Sequence, residues 1–168
     1  SITKELEAFK LGAKVVNPDI QVLEIYINSF VDTNLGYEAA MTMIGQGADV
    51  VYQVANQAGN GAIKACEEKN IYCCGNSYDQ NSIAPAHVLS STVYNMDQVM
   101  LTAVGAMLDG SFKGGVYNLG MDKKVVEIAP YHDLEGVIPQ EIRDLITDSC
   151  AKITSGELVI PVIETPTK

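Results

Sequence analysis

The sequence has 168 residues, of which 47% are hydrophobic and 19% are charged, so it can bury one substantial core and is not composed like a disordered protein. Its net charge of -10 disfavours a nucleic acid partner, because binding to the phosphate backbone depends on lysine and arginine. The longest nearly apolar stretch, VMLTAVGAML at 99–108, is about half of the roughly 20 residues that cross a bilayer, so no membrane span is predicted.

The first half of the chain alternates helical and strand patterns. Apolar residues spaced by three and four predict a helix that Asn-Pro-Asp at 17–19 ends. QVLEIYIN at about 21–28 predicts a strand, and a stripe of small residues then predicts a helix that can sit close to a sheet. A strand at about 49–54, a helix at about 60–69 and a strand at about 71–75 follow. This order predicts an α/β fold with right-handed βαβ units in a parallel sheet covered on both faces.

The order of elements changes after residue 88. VLSSTVY at 88–94 predicts an extended segment, and a helix follows with apolar residues on one face from Met96 to Met107. GVYNLG and KVVEIA are predicted to flank a turn. A last helix is predicted to start at Pro139, a favoured first-turn residue, and to end before Gly156. LVIPVI, predicted as extended, closes the chain.

Polar loops follow three predicted strands: NSFVD, ANQAGNG and GNSYDQ. Because ligands of open α/β sheets bind at the carboxyl ends of strands, a binding site is expected there. Asp32 is placed to cap the following helix, either as a cap alone or as a cap that also contacts a ligand. Phe30 either fills space under a helix or stacks on a flat ligand.

Several weaker motifs have plainer structural explanations. GNGAIK at 59–64 lacks the third glycine of a dinucleotide motif, and its glycines are expected to permit a tight turn before a helix N-terminus that offers N–H donors. GNSYD at 75–79 lacks the last glycine of a nucleophile elbow, and neither His87 nor His132 has a supporting context, so a hydrolase is not favoured. The four cysteines lack metal-ligand spacing and are expected to be core residues, so no metal is predicted.

Together these stretches resemble the basic membrane protein family of solute-binding lipoproteins, which includes purine nucleoside receptors of ABC importers. The resemblance rests on residues 9–80, which contain NPD, SFVD, QGADVVY and the DQ turn, and on VLSSTVYNMD, DGSFKGGVYNLGM and ITSGELVIPV. It runs over nearly the whole chain in the order of the family.

The resemblance implies a type I periplasmic-binding-protein-like fold, in which a ligand is clamped between two α/β lobes, with this chain forming mainly the second lobe. Residues 1–88 are expected to form the ligand-binding second lobe. Residues 89–129 are expected to form crossover strands and a helix associated with the missing first lobe. Residues 130–168 are expected to form the return crossover, the C-terminal helix and the tail on the second lobe. The strand that family members carry before residue 1 is central, so the sheet is expected to have a gap, filled by direct pairing, by a second copy or by a retained companion fragment.

The resemblance also implies which residues face the ligand. The family commonly has Asp at the position of Ser77 and Lys at the position of Tyr94, so two charged contacts are neutral here, and an uncharged or weakly charged ring ligand is expected. The expected ligand-binding residues are Ser29, Phe30, Asp32, Asn56, Gln57, Asn76, Ser77 and Tyr94.

The implied function is the substrate-binding component of an ABC importer that binds a nucleoside-like solute, without catalytic residue, cofactor or metal. The alternative is a ligand-sensing regulatory module with the same fold, as in lactose-repressor-like regulators. The implied partners are the solute, a membrane permease and the missing first lobe or a second copy. The implied location is extracytoplasmic, by lipid anchor or in the periplasm. SITKELEAFKLGA at the start has no signal pattern, so any export signal is expected outside these residues.

Overall fold

The computed structural model describes residues 2–165, so the outermost residues of the predicted first and last segments, 1 and 166–168, lie outside the described part. Within that range the helices are α1 (Ile2–Val16), α2 (Thr33–Gly45), α3 (Gly59–Lys69), α4 (Met96–Leu108) and α5 (Gln140–Ser155). The strands are β1 (Val50–Tyr52), β2 (Tyr72–Ser77), β3 (Val88–Tyr94) and β4 (Val126–Ile128). No helix in the described range is long and apolar enough to cross a bilayer.

The strands form one sheet in the order β1-β2-β3-β4. The first three strands are parallel, with Val51 opposite Cys73 and Ser77 opposite Val93, which confirms the α/β prediction. β4 pairs antiparallel with β3, with Val126 opposite Tyr94, so the sheet is mixed. The sequence pattern did not predict this antiparallel edge.

The predicted strand at about 21–28 is wrong as a strand of this sheet. These residues have no regular secondary structure, and within residues 2–165 they make no backbone-to-backbone hydrogen bond. An apolar segment becomes a strand only when a neighbour pairs with its N–H and C=O groups. Here the nearest strand edge, β1, lies across a cavity that both segments line.

The core lies between the sheet and the α2–α3 pair. It contains Ala40, Val51, Ile63, Cys66, Cys73 and Val88. Two glycines let the helices approach closely: a Cβ on Gly36 would lie 2.0 Å from the carbonyl oxygen of Ala58, and one on Gly61 would lie 1.9 Å from that of Thr33. The prediction of buried cysteines is confirmed for Cys66 and Cys73.

The second half of the chain contributes little to this core. α4 exposes a row of large apolar side chains: Met96, Met100, Leu101, Val104, Met107 and Leu108. The predicted extended segment GVYNLG forms no strand, and a short 3-10 turn (Met121–Lys123) leads into β4. α5 ends at Ser155, as predicted, and Gly156 after it takes a left-handed conformation with φ 79°.

Candidate functional site

The carboxyl edge of the parallel strands is marked by unusual backbone conformations. Asn28, Asn56 and Ser77 have positive φ angles of 52°, 50° and 77°. Each lies in one of the polar loops that the sequence predicts as ligand-facing. Asparagine tolerates this region better than most residues, whereas serine adopts it at a cost of about 1 kcal/mol. Such conformations concentrate at functional sites, where the surrounding structure holds them in place.

The first loop, 28–32, is held by its own side chains. The Ser29 hydroxyl accepts hydrogen bonds from the backbone N–H groups of Val31 and Asp32, at 3.3 and 3.0 Å. Asp32 Oδ1 accepts from the N–H groups of Asn34 and Leu35, which confirms that it caps α2. The capping role therefore uses one carboxylate oxygen of Asp32, and the side chain remains exposed.

Phe30 presents its ring at this edge. Phe30 is 54% exposed, so it does not fill the core of the described residues. Its carbonyl oxygen accepts a hydrogen bond of 3.1 Å from the N–H of Ala58, and this bond joins the first loop to the second.

The second loop, after β1, carries two exposed amides, Asn56 and Gln57, before α3 begins. The prediction that Gly59 permits a tight turn is wrong, because its φ of -61° is ordinary for a helix. Its lack of a side chain instead makes room for Gln53, whose Oε1 would lie 1.7 Å from a Cβ at that position. The GNG sequence is therefore explained by close packing.

Two buried glutamines lock the ends of the three parallel strands together. Gln53 Nε2 donates to Gln80 Oε1 at 2.5 Å, and the same oxygen accepts from the backbone N–H of Asn76 at 2.8 Å. Gln80 Nε2 donates to Asn60 Oδ1 at 3.0 Å, and its backbone N–H donates to Ser91 Oγ at 3.1 Å. Gln80 is fully buried, so each of these bonds satisfies a group that water cannot reach.

A second polar cluster lies on the opposite face of the sheet. Asn76 Nδ2 lies within hydrogen-bond distance of the Tyr52 hydroxyl at 3.0 Å, the Tyr94 hydroxyl at 3.2 Å and Glu5 Oε2 at 3.3 Å. The Tyr94 hydroxyl donates to Glu5 Oε2 at 2.9 Å, and Ser77 Oγ donates to Asn76 Oδ1 at 2.9 Å. Glu5 belongs to the first turn of α1, so this helix supplies a carboxylate to the strand ends.

The tyrosines of this cluster stay protonated at neutral pH. Burial, together with the hydrogen bond to the Glu5 carboxylate, raises the pKa of Tyr94 to about 12. Burial also raises the pKa of Tyr52, whose ring stacks on Phe9 with centroids 5.2 Å apart. The tyrosines therefore offer neutral hydroxyls, and Glu5 is the carboxylate beside them.

The geometry around Ser77 does not assemble a nucleophile. Its hydroxyl donates to Asn76, and His132 Nε2 lies 2.7 Å from Asp79 Oδ2. In the described part of the chain no hydrogen bond joins Ser77 to a histidine. His87 contacts Asn70 at 3.2 Å, so both histidines have structural partners.

The structure brings the predicted residues together in two groups. Asn76, Ser77 and Tyr94 are linked directly by hydrogen bonds, and the loop of Phe30 is linked to the loop of Gln57 through the backbone. The two groups are joined through Gln80, whose Oε1 accepts from the Asn76 N–H at 2.8 Å and whose Nε2 donates at 3.0 Å to Asn60 Oδ1 at the start of α3, directly after the second loop.

Sequence reasoning missed Glu5 and Tyr52. Glu5 lies in a sequence pattern typical of any helix, and Tyr52 lies in one typical of any strand. They join the cluster only because α1 crosses the ends of the strands.

Comparison with known proteins gives a family match over almost the whole chain. Residues 1–164 match the model of the ABC transporter substrate-binding proteins described as PnrA-like. A purine-binding protein of Brucella abortus is 30% identical over 157 residues, which cover 94% of this chain and 43% of that protein. Basic membrane protein A of Borreliella afzelii is 30% identical over 91% of this chain and 47% of that protein. The chain thus spans about half the length of these relatives.

Solved structures share the fold. A solute-binding protein of an ABC transporter system from Aeropyrum pernix K1 superposes with a TM-score of 0.74 at 21% identity, over 90% of this chain and 51% of that one. A transcriptional activator of the comK gene from Bacillus halodurans superposes with a TM-score of 0.71 at 20% identity, over 79% of this chain and 46% of that one. At these identities the likeness shows the fold alone.

Proposed function

The chain belongs to the family of PnrA-like ABC transporter substrate-binding proteins, and we propose that the whole protein binds a nucleoside-like solute in a cleft between two lobes and presents it to a membrane permease. In this proposal the carboxyl edge of the parallel strands forms one wall of that cleft. Binding closes the lobes around the solute, and no covalent step is involved. In this proposal the protein acts outside the cytoplasmic membrane, where a solute-binding component of an importer meets its ligand.

The observation that carries this proposal is the half-exposed Phe30, whose loop is hydrogen-bonded through the backbone to the loop that carries the exposed Asn56 and Gln57. An aromatic face can stack on a flat base, which is worth about 1–3 kcal/mol per base in nucleic acid complexes. Asn56 and Gln57 have exposed amides that can both donate and accept hydrogen bonds. Asp32 keeps a second carboxylate oxygen beyond the one that caps α2.

The charges of the edge favour an uncharged nucleoside over a nucleotide. Ser77 and Tyr94 are neutral, and Glu5 adds a carboxylate whose Oε1 accepts no hydrogen bond from the described residues. A carboxylate accepts hydrogen bonds from hydroxyl or amino groups and repels a phosphate. The whole chain carries a net charge of -10, which acts in the same direction.

The test is calorimetry on the whole protein with a purine ribonucleoside and its 5′-monophosphate. We expect the nucleoside to bind and the monophosphate to bind at least tenfold more weakly. Phe30→Ala is expected to weaken nucleoside binding at least tenfold, because a stacking face is lost. Tyr72→Ala is the matched control, since Tyr72 begins the strand that Ser77 ends and lies about 16 Å from it at about 3.3 Å per residue.

Two results would contradict the proposal. Equal affinity for the nucleoside and the monophosphate would remove the carboxylate from the site. Unchanged affinity of Phe30→Ala would return the ring to a packing role.

The alternative function is a ligand-sensing regulatory module. It is favoured by the likeness in fold to a transcriptional activator of the comK gene. Both functions use the same solute site, so solute binding does not separate them. Binding of the solute-loaded protein to membrane vesicles that contain the importer permease is expected for a transport component. A regulator would not bind those vesicles.

A further inference from the structure

Two cysteine thiols meet in the core between α3 and β2. Cys66 belongs to the second half of α3, and Cys73 is the second residue of β2. The two residues are 0% and 1% exposed, and both belong to the main hydrophobic core. A hydrogen bond joins their side chains, so the two sulfur atoms are in direct contact.

The turn between the helix and the strand fixes this contact. Asn70 ends α3 in a left-handed conformation with φ 52°, and the N–H of Ile71 donates to the carbonyl oxygen of Cys66 at 3.0 Å. The N–H of Cys73 donates to the carbonyl oxygen of His87 at 2.8 Å, and the Cys73 sulfur lies 3.7 Å from the same oxygen. Backbone hydrogen bonds therefore hold both cysteines in place.

Cys74 is the other thiol that could compete for Cys66. Successive side chains of a strand point to opposite faces of the sheet, so Cys74 points away from the face on which Cys73 meets α3. The register of β2 against β1, with Val51 opposite Cys73 and Tyr52 opposite Cys74, fixes this orientation. Cys74 is also only partly buried. The structure thus selects Cys73 as the partner of Cys66.

We propose that Cys66 and Cys73 form a reversible disulfide that ties the end of α3 to β2. The pair meets the first requirement for such a bond, since its sulfur atoms are already in contact across a fixed turn. α3 begins directly after the loop of Asn56 and Gln57, and β2 ends at Ser77. The bond would therefore restrain the elements that carry two of the three loops of the candidate site.

The bond forms by thiol–disulfide exchange with a small-molecule disulfide. The Cys66 thiolate attacks one sulfur of that disulfide, and the other sulfur leaves as a thiolate. The Cys73 thiolate then attacks the Cys66 sulfur and displaces the second small thiolate. The two protons of the protein thiols end on the two small thiols, so the protein pair is oxidised and the small disulfide is reduced.

Cys66 is the better first nucleophile of the pair. The hydrogen bond from Cys73 lowers the pKa of Cys66, although burial acts in the opposite direction, and the thiolate is the reactive form. Because Cys66 is fully buried, the attack takes place while the end of α3 is open, during folding or in a local opening.

The state of the pair depends on where the protein works. Disulfides form and persist outside the cytoplasm, where oxidants are present. The expectation that the pair is oxidised there rests on the location in the proposed function. Formation of the bond in the purified protein does not, and it needs no solute, so its failure is distinct from failure of the proposed function.

The first experiment is a peptide map of the whole protein after incubation with excess oxidised glutathione, both in the native state and during refolding from urea. Free thiols are then blocked with N-ethylmaleimide, and the protein is digested with trypsin, which cleaves after Lys64, Lys69 and Lys113. A bond between Cys66 and Cys73 links residues 65–69 to residues 70–113. This linked pair is expected in most refolded molecules, and dithiothreitol is expected to separate it.

Two variants identify the partner of Cys66. Cys74→Ser is the matched control and is expected to leave the linked pair unchanged. Cys73→Ser is expected to abolish it, because Cys74 points to the other face of the sheet. If Cys73→Ser fails to fold, fragmentation of the linked pair from the wild-type protein still distinguishes Cys73 from Cys74.

Three results would overturn the proposal. The first is recovery of Cys66 and Cys73 as blocked thiols from refolded protein that circular dichroism shows to be folded. The second is a glutathione adduct that persists on either residue. The third is a bond that uses Cys74, either to Cys66 or to Cys73, and a bond between Cys73 and Cys74 leaves residues 65–69 unlinked.

Amide hydrogen exchange measures the restraint that the bond imposes. The N–H groups of Asn70, Ile71 and Cys73 are hydrogen-bonded in the turn and at the start of β2, so their exchange reports opening of this region. We expect these amides to exchange about tenfold more slowly in the oxidised protein than in the reduced protein. Equal exchange in the two forms would overturn the proposed tie between α3 and β2.

Discussion

At the scale of the residue, the cluster around Asn76 combines neutral hydroxyl groups with the carboxylate of Glu5. Ser77, the last residue of β2, has a left-handed backbone conformation. Its hydroxyl donates a hydrogen bond to Asn76 Oδ1. Tyr94 donates to Glu5, which keeps the carboxylate oriented. Among the described residues, Glu5 supplies the carboxylate to which these neutral groups bond.

The alkaline titration of Tyr94 provides a test of this cluster. Its pKa is about 12 in the folded chain and about 10 when unfolded, so between these values the folded state holds a proton that the unfolded state has lost. The stabilisation is therefore fully present below about pH 10 and is lost as the pH rises through about 12. We expect the free energy of unfolding of the wild-type chain to fall toward that of Tyr94→Phe in this window.

Urea unfolding of both chains at pH 9, 10, 11 and 12 measures this difference, and absorbance at 295 nm reports tyrosinate directly. Subtracting the variant curve from the wild-type curve isolates one titration. A midpoint near pH 10 would contradict the buried, Glu5-bonded environment of Tyr94.

At the scale of the element, glycines decide how closely α2 and α3 pack. A Cβ on Gly61 would lie 1.9 Å from the Thr33 carbonyl oxygen and 2.8 Å from the Tyr37 nitrogen, both of which are backbone atoms. Gly61→Ala is therefore expected to lower the free energy of unfolding by about 1–3 kcal/mol or more. Gly105→Ala in α4 meets nothing within 4 Å and is expected to raise it by about 0.5–1 kcal/mol.

Urea denaturation of both variants measures the two shifts. Both glycines lie within helices, so both variants gain the same helix propensity of alanine over glycine. The difference between their free energies of unfolding therefore measures the cost of the steric clash between α2 and α3. Equal shifts would mean that the helices separate without cost.

The elements that sequence periodicity predicts best are those whose partners lie within the chain. The helix predicted at about 60–69 is Gly59–Lys69, and the segment predicted at 88–94 is the strand Val88–Tyr94. Both pack against the core formed by α2, α3 and the sheet, so local pattern and tertiary contacts agree. The strand predicted at about 21–28 fails because no backbone among the described residues pairs with it, and periodicity alone does not reveal whether a segment has a pairing neighbour.

The candidate site was predictable where it follows strand ends. The rule that ligands bind at carboxyl ends of parallel strands selects the loops of Phe30, Gln57 and Ser77. The Gln57 loop follows β1 and Ser77 ends β2, whereas the Phe30 loop follows no strand and is joined to the Gln57 loop through the N–H of Ala58. Glu5 was not predictable, because its position depends on where α1 crosses the sheet. Gln80 is part of the DQ turn in the family resemblance, yet its role as a buried link among three strands needed the tertiary structure.

At the scale of the whole molecule, the described residues form one wall of the proposed cleft. The chain spans 43% and 47% of two curated relatives, and α4 exposes an apolar face in the described range. A row of exposed apolar side chains ordinarily marks an interaction surface.

The affinity of the isolated chain for solute tests whether two lobes share the contacts to the solute, as the proposed function requires. If the whole protein binds a nucleoside with a micromolar Kd, about -8.2 kcal/mol, and each lobe supplies half of the contacts, one lobe retains about -4.1 kcal/mol, which is millimolar. We therefore expect the 168-residue chain to bind the same nucleoside about a thousandfold more weakly. Calorimetry on both proteins measures this ratio. Affinities within tenfold of each other would place the whole site on this chain, because a lone wall could then supply nearly all of the contacts.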